Sequence, residues 1–160
     1  RLLPGPHHPL MSRPRRIMVI GRSGAGKTTL MTAMGYRSGP VTKTEAVCFT
    51  PECIDTPGEF LESPIFKNTF MSLSAKAEVV LLLMDPLKHS SFPPQIAAVL
   101  RAHAIGVVTK ADIADPESLD RARRMLIQAG AKEVFMVSAV TGEGVDALRD
   151  CINKYFEEVR

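Results

Sequence analysis

The chain has 160 residues, 45% of them hydrophobic and 23% charged, with a formal net charge of +3. That length suits one domain and that composition suits a packed core, while the charge is too slight to argue for a nucleic-acid partner. The longest apolar run, Val79 to Met84, falls far short of the roughly 20 residues that span a bilayer, and no window resembles a secretory signal. No membrane association and a cytoplasmic location are therefore expected.

Three cysteines, Cys48, Cys53 and Cys151, form an odd set without CxxC spacing. Neither a disulfide framework nor a zinc site is suggested, and they read as small buried or half-buried hydrophobes. Residues 1–15 carry Pro4, Pro6 and Pro9 with His7 and His8 and no periodicity, which predicts a flexible tail ahead of one folded unit over 16–160. Arg13, Arg15 and Arg16 read as a solvated lead-in to the first strand.

Ile17 to Ile20 is a compact apolar run ending directly at Gly21, as a buried parallel strand should. Gly21 to Thr28 reads GRSGAGKT, which fits GxxxxGK[ST], the spacing of a loop whose backbone N–H groups ring a polyphosphate. Gly21, Gly24 and Gly26 permit backbone angles that a β-carbon penalises, and Ser23, Ala25 and Thr29 complete the expected phosphate contacts. Lys27 would reach the β- and γ-phosphates, and the Thr28 hydroxyl would sit on Mg²⁺. Leu30, Met31 and Met34 then recur at helical spacing until Gly35.

A loop over 35–43 leads to a short strand at Ala46 to Phe49, which Pro51 ends. Thr44 is the choice for a hydroxyl closing on Mg²⁺ and γ-phosphate, with Thr42 near enough to compete. Asp55-Thr56-Pro57-Gly58 follows Cys53 and Ile54; Asp55 could hold Mg²⁺ through water, and the Gly58 N–H could meet the γ-phosphate. Glu59 stands next, where it could accept a hydrogen bond from an attacking water. A helix is predicted from about Pro64, with Ile65, Phe66, Phe70 and Leu73 on one face.

Val79 to Met84 should lie at the centre of a parallel sheet. A helix is expected from Pro93 to His103, then a strand at Ile105 to Val108. In Thr109-Lys110-Ala111-Asp112, the aspartate could accept from both N1–H and the exocyclic amine of guanine, a pair adenine does not present, and the Lys110 stem could cover the base. Asp115-Pro116 announces a capped helix ending at Gly130, with Leu119, Ala122, Leu126 and Ala129 inward and Arg121 and Arg124 wet. Val134 to Val137 is the last strand, after which the N–H groups of Ser138-Ala139 could meet the guanine carbonyl. Val145, Leu148, Ile152, Tyr155 and Val159 mark one face of a C-terminal helix.

Strands alternating with helices imply an α/β fold, a doubly wound, mostly parallel sheet flanked by helices, with the ligand beyond the carboxyl ends of the strands. On these motifs the sequence resembles the Ras-like and translation-factor-like P-loop GTPases. More narrowly, GRSGAGKT, Lys43 to Val47, Ile54 to Phe60 and Val108 to Pro116 continuing into Ala129 to Lys132 make it similar to the EutP/PduV family of small GTPase-like proteins. The resemblance implies binding of GTP or GDP with Mg²⁺, a role in ethanolamine or propanediol utilisation, and a bacterial microcompartment shell or enzyme partner.

Thr109 replaces the asparagine, and Glu59 the catalytic glutamine, that many such GTPases carry. Glu59, Lys27 and Thr44 are the catalytic candidates, and the carboxylate of Glu59 brings negative charge toward an anionic phosphoryl group, so slow turnover is expected. A rival reading makes Asp85, at the end of the Val79 strand, the magnesium carboxylate of an ATP-binding small-molecule kinase or ATPase. Another is a scaffold that binds nucleotide, hydrolyses nothing and recruits partners.

Overall fold

A strand inside a doubly covered parallel sheet has no solvated face, so every position is apolar. The computed structural model shows this for β1 (Ile17–Ile20) and β4 (Val79–Met84), each buried along its whole length. The structure describes residues 17–21, 26–36, 48–49, 53–55, 77–88, 92, 94–99 and 103–158. Within them the chain runs β1, α1 (Lys27–Ala33), β2 (Cys48–Phe49), β3 (Cys53–Asp55), β4, a 3-10 turn (Ile96–Val99), β5 (His103–Val108), α2 (Pro116–Gln128), β6 (Glu133–Met136) and α3 (Val145–Glu158). The tail expected over residues 1–15 and the helix expected from Pro64 lie outside the described residues.

The strands form one sheet in the order β2-β3-β1-β4-β5-β6. All neighbours are parallel except β2 and β3, which pair antiparallel with Cys48 opposite Asp55. The order turns outward from β1 and β4, so both of their carboxyl ends lie at a topological switch point, where such sheets bind ligands.

Side chains alternate across the sheet with period 2 and divide the core into two layers. Ile17, Val19, Val79, Leu81, Leu83, Ile105 and Val107 pack with Leu30, Met31 and Met34 of α1 and Leu148, Ile152 and Phe156 of α3. Met18, Ile20, Val80, Leu82, Met84 and Val108 pack on the other side with Ala122 and Leu126 of α2. The second layer depends on Gly106, because a Cβ there would lie 3.0 Å from Leu126 Cβ. Helix α2 therefore sits close on β5.

Helix α2 begins as the sequence dictates. Asp115 is extended, its carboxylate accepts from the Ser118 N–H at 3.1 Å, and Pro116 occupies the first turn. Ala122, Leu126 and Ala129 are buried while Arg121 and Arg124 are exposed. Helix α3 buries Val145, Leu148, Ile152 and Phe156, with Tyr155 half-buried at its edge.

Three expectations are corrected. The helix expected from Pro93 to His103 is, within the described residues, a 3-10 turn over Ile96–Val99. Its N–H groups are drawn outward: Gln95 N donates to Gln128 O and Ala97 N to Ala129 O, both at 2.8 Å, so the segment seals the end of α2 instead of forming its own ladder. Strand β5 consequently starts at His103, not Ile105, with His103 opposite Val79. The last strand is offset by one residue, Glu133–Met136.

At the amino edge of the sheet, Tyr155 Oη and Cys151 Sγ on α3 both donate to Glu133 Oε2 on β6, and the Tyr155 ring stacks on His103 with centroids 4.0 Å apart. The Tyr155 hydrogen bond holds the Glu133 carboxyl below its usual range. Burial, followed by the Glu133 hydrogen bond, pushes the Cys151 thiol up to about 12, so it stays protonated at neutral pH.

Two outcomes follow for stability. Leu126→Ala should cost about 2–5 kcal/mol in urea unfolding by leaving a cavity against Gly106; a loss below about 1 kcal/mol would contradict close packing there. A carboxyl depressed in the folded state stabilises above its unfolded pKa, so the Glu133 contribution is present at neutral pH and is lost as pH falls below 4.5, through the lowered folded value. It should amount to less than about 1 kcal/mol at this exposed position. Comparing melting temperatures between pH 6 and pH 3, Tyr155→Phe should shrink the acid-induced loss relative to the parent chain; an unchanged loss would contradict the assignment.

Candidate nucleotide site

Three segments meet at the carboxyl edge of the sheet. Gly26, Thr29 and Leu30 from the start of α1, Thr109, Lys110 and Asp112 after β5, and Val137, Ser138, Ala139 and Val140 after β6 line one open cleft. Parallel register explains the convergence: Ile20 lies opposite Leu82 and Met84 opposite Val108, so the strands run out at nearly one level.

Gly26 is the N-cap of α1 with φ of 96°, a left-handed conformation that favours glycine. It offers no side chain to cap the helix. Lys27 Nζ donates to Gly21 O at 2.9 Å, closing the loop across six residues. Thr28 and Thr29 are exposed on the first turn. At the other end of α1, Arg149 Nε of α3 donates to Met34 O at 3.3 Å and fixes the helix.

The segment after β5 is tied down at several points. Thr109 is buried, and its N–H and hydroxyl both donate to Met84 O, at 3.0 and 3.4 Å. Lys110 has φ of 59°, uncommon for a residue with a β-carbon. Its ammonium lies 2.7 Å from Asp85 Oδ2. Ala111 N donates to Val137 O, and Ile113 N and Ala114 N return to Lys110 O, forming a compact turn with Asp112 on the cleft wall. Asp112 is exposed and its carboxylate has no protein partner among the described residues.

The segment after β6 is equally ordered. Ser138 is fully buried; its N–H donates to Glu143 O and its hydroxyl accepts from Thr141 N at 3.1 Å. Gly144 (φ 75°) closes the turn, and any β-carbon there would collide with the Met136 carbonyl oxygen. The hydroxyl of Ser138 thus shapes the loop that presents Ala139.

Gly21, Gly26, Lys27, Thr28, Thr29, Thr109, Lys110, Asp112, Ser138 and Ala139 are therefore described, and all but Gly21, Lys27 and Thr28 line the cleft itself. Asp55 ends β3 opposite Val19, one residue before the end of β1. Ser23, Gly24, Ala25, Thr44, Gly58 and Glu59 lie outside the described residues. Among the described residues no group of three or more His, Cys, Asp or Glu is placed to hold a metal, and no helix is long and apolar enough to cross a membrane.

Asp85 has a different place from the one the kinase reading gives it. It is 2% exposed, absent from the cleft wall, and both oxygens are engaged: Oδ1 by Leu87 N at 2.9 Å and Oδ2 by Lys110. A buried carboxylate requires such partners. An acidic residue ending the most apolar strand was the available sign that a cation must lie nearby.

The chain matches the family described as ethanolamine utilisation - propanediol utilisation (PduV-EutP) over residues 14–154. It is 36% identical to the propanediol utilization protein PduV of Citrobacter freundii, an alignment covering 84% of this chain and 90% of that one. It is 28% identical to the protein named probable acetate kinase EutP of Salmonella typhimurium, covering 90% and 92%. Among solved structures it is similar to a probable GTP-binding protein engB (TM-score 0.63, 19% identity, covering 89% of this chain and 99% of that one). It is also similar to the translation elongation factor SelB of Methanococcus maripaludis (TM-score 0.57, 18% identity), covering 89% of this chain but only 33% of that one. The P-loop motif, the sheet order and these likenesses converge: the chain is a P-loop protein with the G-domain fold, and it belongs to the PduV-EutP family.

Proposed function

We propose that the chain binds a guanine nucleotide with Mg²⁺ and hydrolyses GTP slowly, serving ethanolamine or propanediol utilisation at a bacterial microcompartment. The observation that carries the reading is the carboxylate of Asp112, without a protein partner among the described residues, on the same cleft wall as Gly26 and Ala139. A carboxylate accepts from N1–H and the exocyclic amine of guanine together. The amides at the start of α1 suit an anion at the cleft's other end, and the match in fold to GTP-binding proteins agrees.

In this reading Lys27 supplies positive charge to the β- and γ-phosphates, and the Lys110 stem covers one face of the base. Thr28, Thr44 and Asp55 would hold Mg²⁺, which when bound would offset charge on the phosphate oxygens; the place of Thr44 rests on the sequence alone. The Gly58 N–H meets the γ-phosphate and Glu59 orients the attacking water; both assignments rest on the sequence motif. Intrinsic turnover on the order of 10⁻⁴ to 10⁻² per second is expected without an activating partner, and a microcompartment shell protein or enzyme is the expected partner.

A second reading, transfer of phosphate from ATP to acetate, is favoured by one finding, the name borne by the Salmonella relative. The bonds from Lys110 and Leu87 N to Asp85, the carboxylate a kinase reading would use, support the guanine reading over this one.

Calorimetry with Mg²⁺ should show GTP and GDP binding at least about a hundredfold more tightly than ATP, since adenine leaves the Asp112 carboxylate unpaired. Asp112→Asn should reverse the preference toward xanthine nucleotides; equal affinity for ATP and GTP would overturn the reading. Phosphate-release assays should then show slow GTP hydrolysis indifferent to acetate, whereas acetyl phosphate formed from ATP and acetate would establish the second reading instead.

A further inference from the structure

The carboxylate of Asp85 lies beneath the loop that carries Asp112. It directly follows β4, is 2% exposed, and accepts from the half-exposed Lys110 ammonium at 2.7 Å and from Leu87 N at 2.9 Å. Lys110 is held with φ of 59°, a backbone state uncommon for a residue with a β-carbon. A conformation of that kind persists where its surroundings over-determine it. Here the surroundings are the Asp85 ion pair below, the Ala111 N to Val137 O bond beside it, and the Ile113 and Ala114 amides returning to Lys110 O. Asp112 stands at the apex of the same turn.

Resting on the guanine reading above, we propose that Asp85 is a positioning residue for base selectivity: by anchoring Lys110 from within the sheet it sets the turn that presents Asp112 to the base. It touches no nucleotide itself. The ion pair also settles where the Lys110 stem lies, since its charged end is fixed at Asp85 and the methylenes must run between that point and the cleft. In that reading the phosphate end of the site is carried by Gly21, Gly26 and α1, whereas Asp85 bonds Lys110 and Leu87. Loss of the pair should therefore degrade recognition of the base and spare recognition of phosphate.

The test measures binding of GDP, ADP and inorganic pyrophosphate to the full chain with Mg²⁺. Asp85→Asn keeps the shape and an acceptor for Leu87 N but removes the charge. It should weaken GDP about tenfold, the equivalent of about 1.4 kcal/mol, narrow the GDP-over-ADP ratio by a similar factor, and leave pyrophosphate unchanged. Lys110→Met, which retains an apolar stem and alters the partly exposed partner, should reproduce that pattern if Asp85→Asn folds poorly. The double variant should be no worse than either single one, because both break the same pair. Asp85→Glu, which keeps a carboxylate, should recover part of the GDP-over-ADP ratio. An unchanged ratio, a parallel loss of GDP and pyrophosphate, or additive single effects would overturn the inference while leaving guanine binding by the parent chain intact. A parent chain that does not prefer GDP to ADP would overturn the proposed function and this inference with it.

Discussion

Burial of β4 on both faces is the constraint on which the rest of the molecule depends. Six successive apolar residues with no solvated side pair in parallel with β1 on one flank and β5 on the other. Once that strand is central, chirality sends the connections over opposite faces, with α1 and α3 packing on one and α2 on the other. The register then brings Gly21, Asp85 and Thr109 to one edge of the sheet. The candidate site is a consequence of where these strands stop.

That edge is also where the chain spends stability. Gly26 and Lys110 hold left-handed backbone angles, Gly144 cannot carry a side chain, and Asp85 is a charge at the rim of the core. Each irregularity is answered by a named contact. Lys27 closes on Gly21, Lys110 on Asp85, Ala111 on Val137 and Ser138 on Thr141 and Glu143. Such bonds hold polar groups in place, so that Asp112 has no protein partner among the described residues while Ala111, Ile113 and Ala114 around it are tied to Val137 and Lys110. Rigidity of this kind is what selective recognition of a purine edge requires.

Much of this was legible in the residues. Continuous apolar runs marked β1 and β4, Asp115-Pro116 marked the start of α2, and periodic Val145, Leu148 and Ile152 marked the buried face of α3, because each signal follows from local geometry or one-sided burial. The segment at Ile96–Val99 misled because its apolar spacing suits a helix, while its amides are claimed by the end of α2, a tertiary fact no local pattern carries. The grouping of the Thr109 and Ser138 loops with Gly26 was anticipated from strand ends. The partner of Asp85 was not, since a pair 25 residues apart is visible only once β4 and β5 are in register. Gly106 was equally silent: its importance lies in the approach of Leu126 from another element.

The chain belongs to the PduV-EutP family, and its cleft joins the start of α1 to the loops after β5 and β6. The most direct test is a crystal structure of the chain grown with GDP and Mg²⁺. The account predicts the guanine edge within hydrogen-bonding distance of both Asp112 carboxylate oxygens, the Ala139 amide near the base carbonyl, and the phosphates over the start of α1 beside Lys27. A nucleotide bound with its base away from Asp112, or in another cavity altogether, would contradict it.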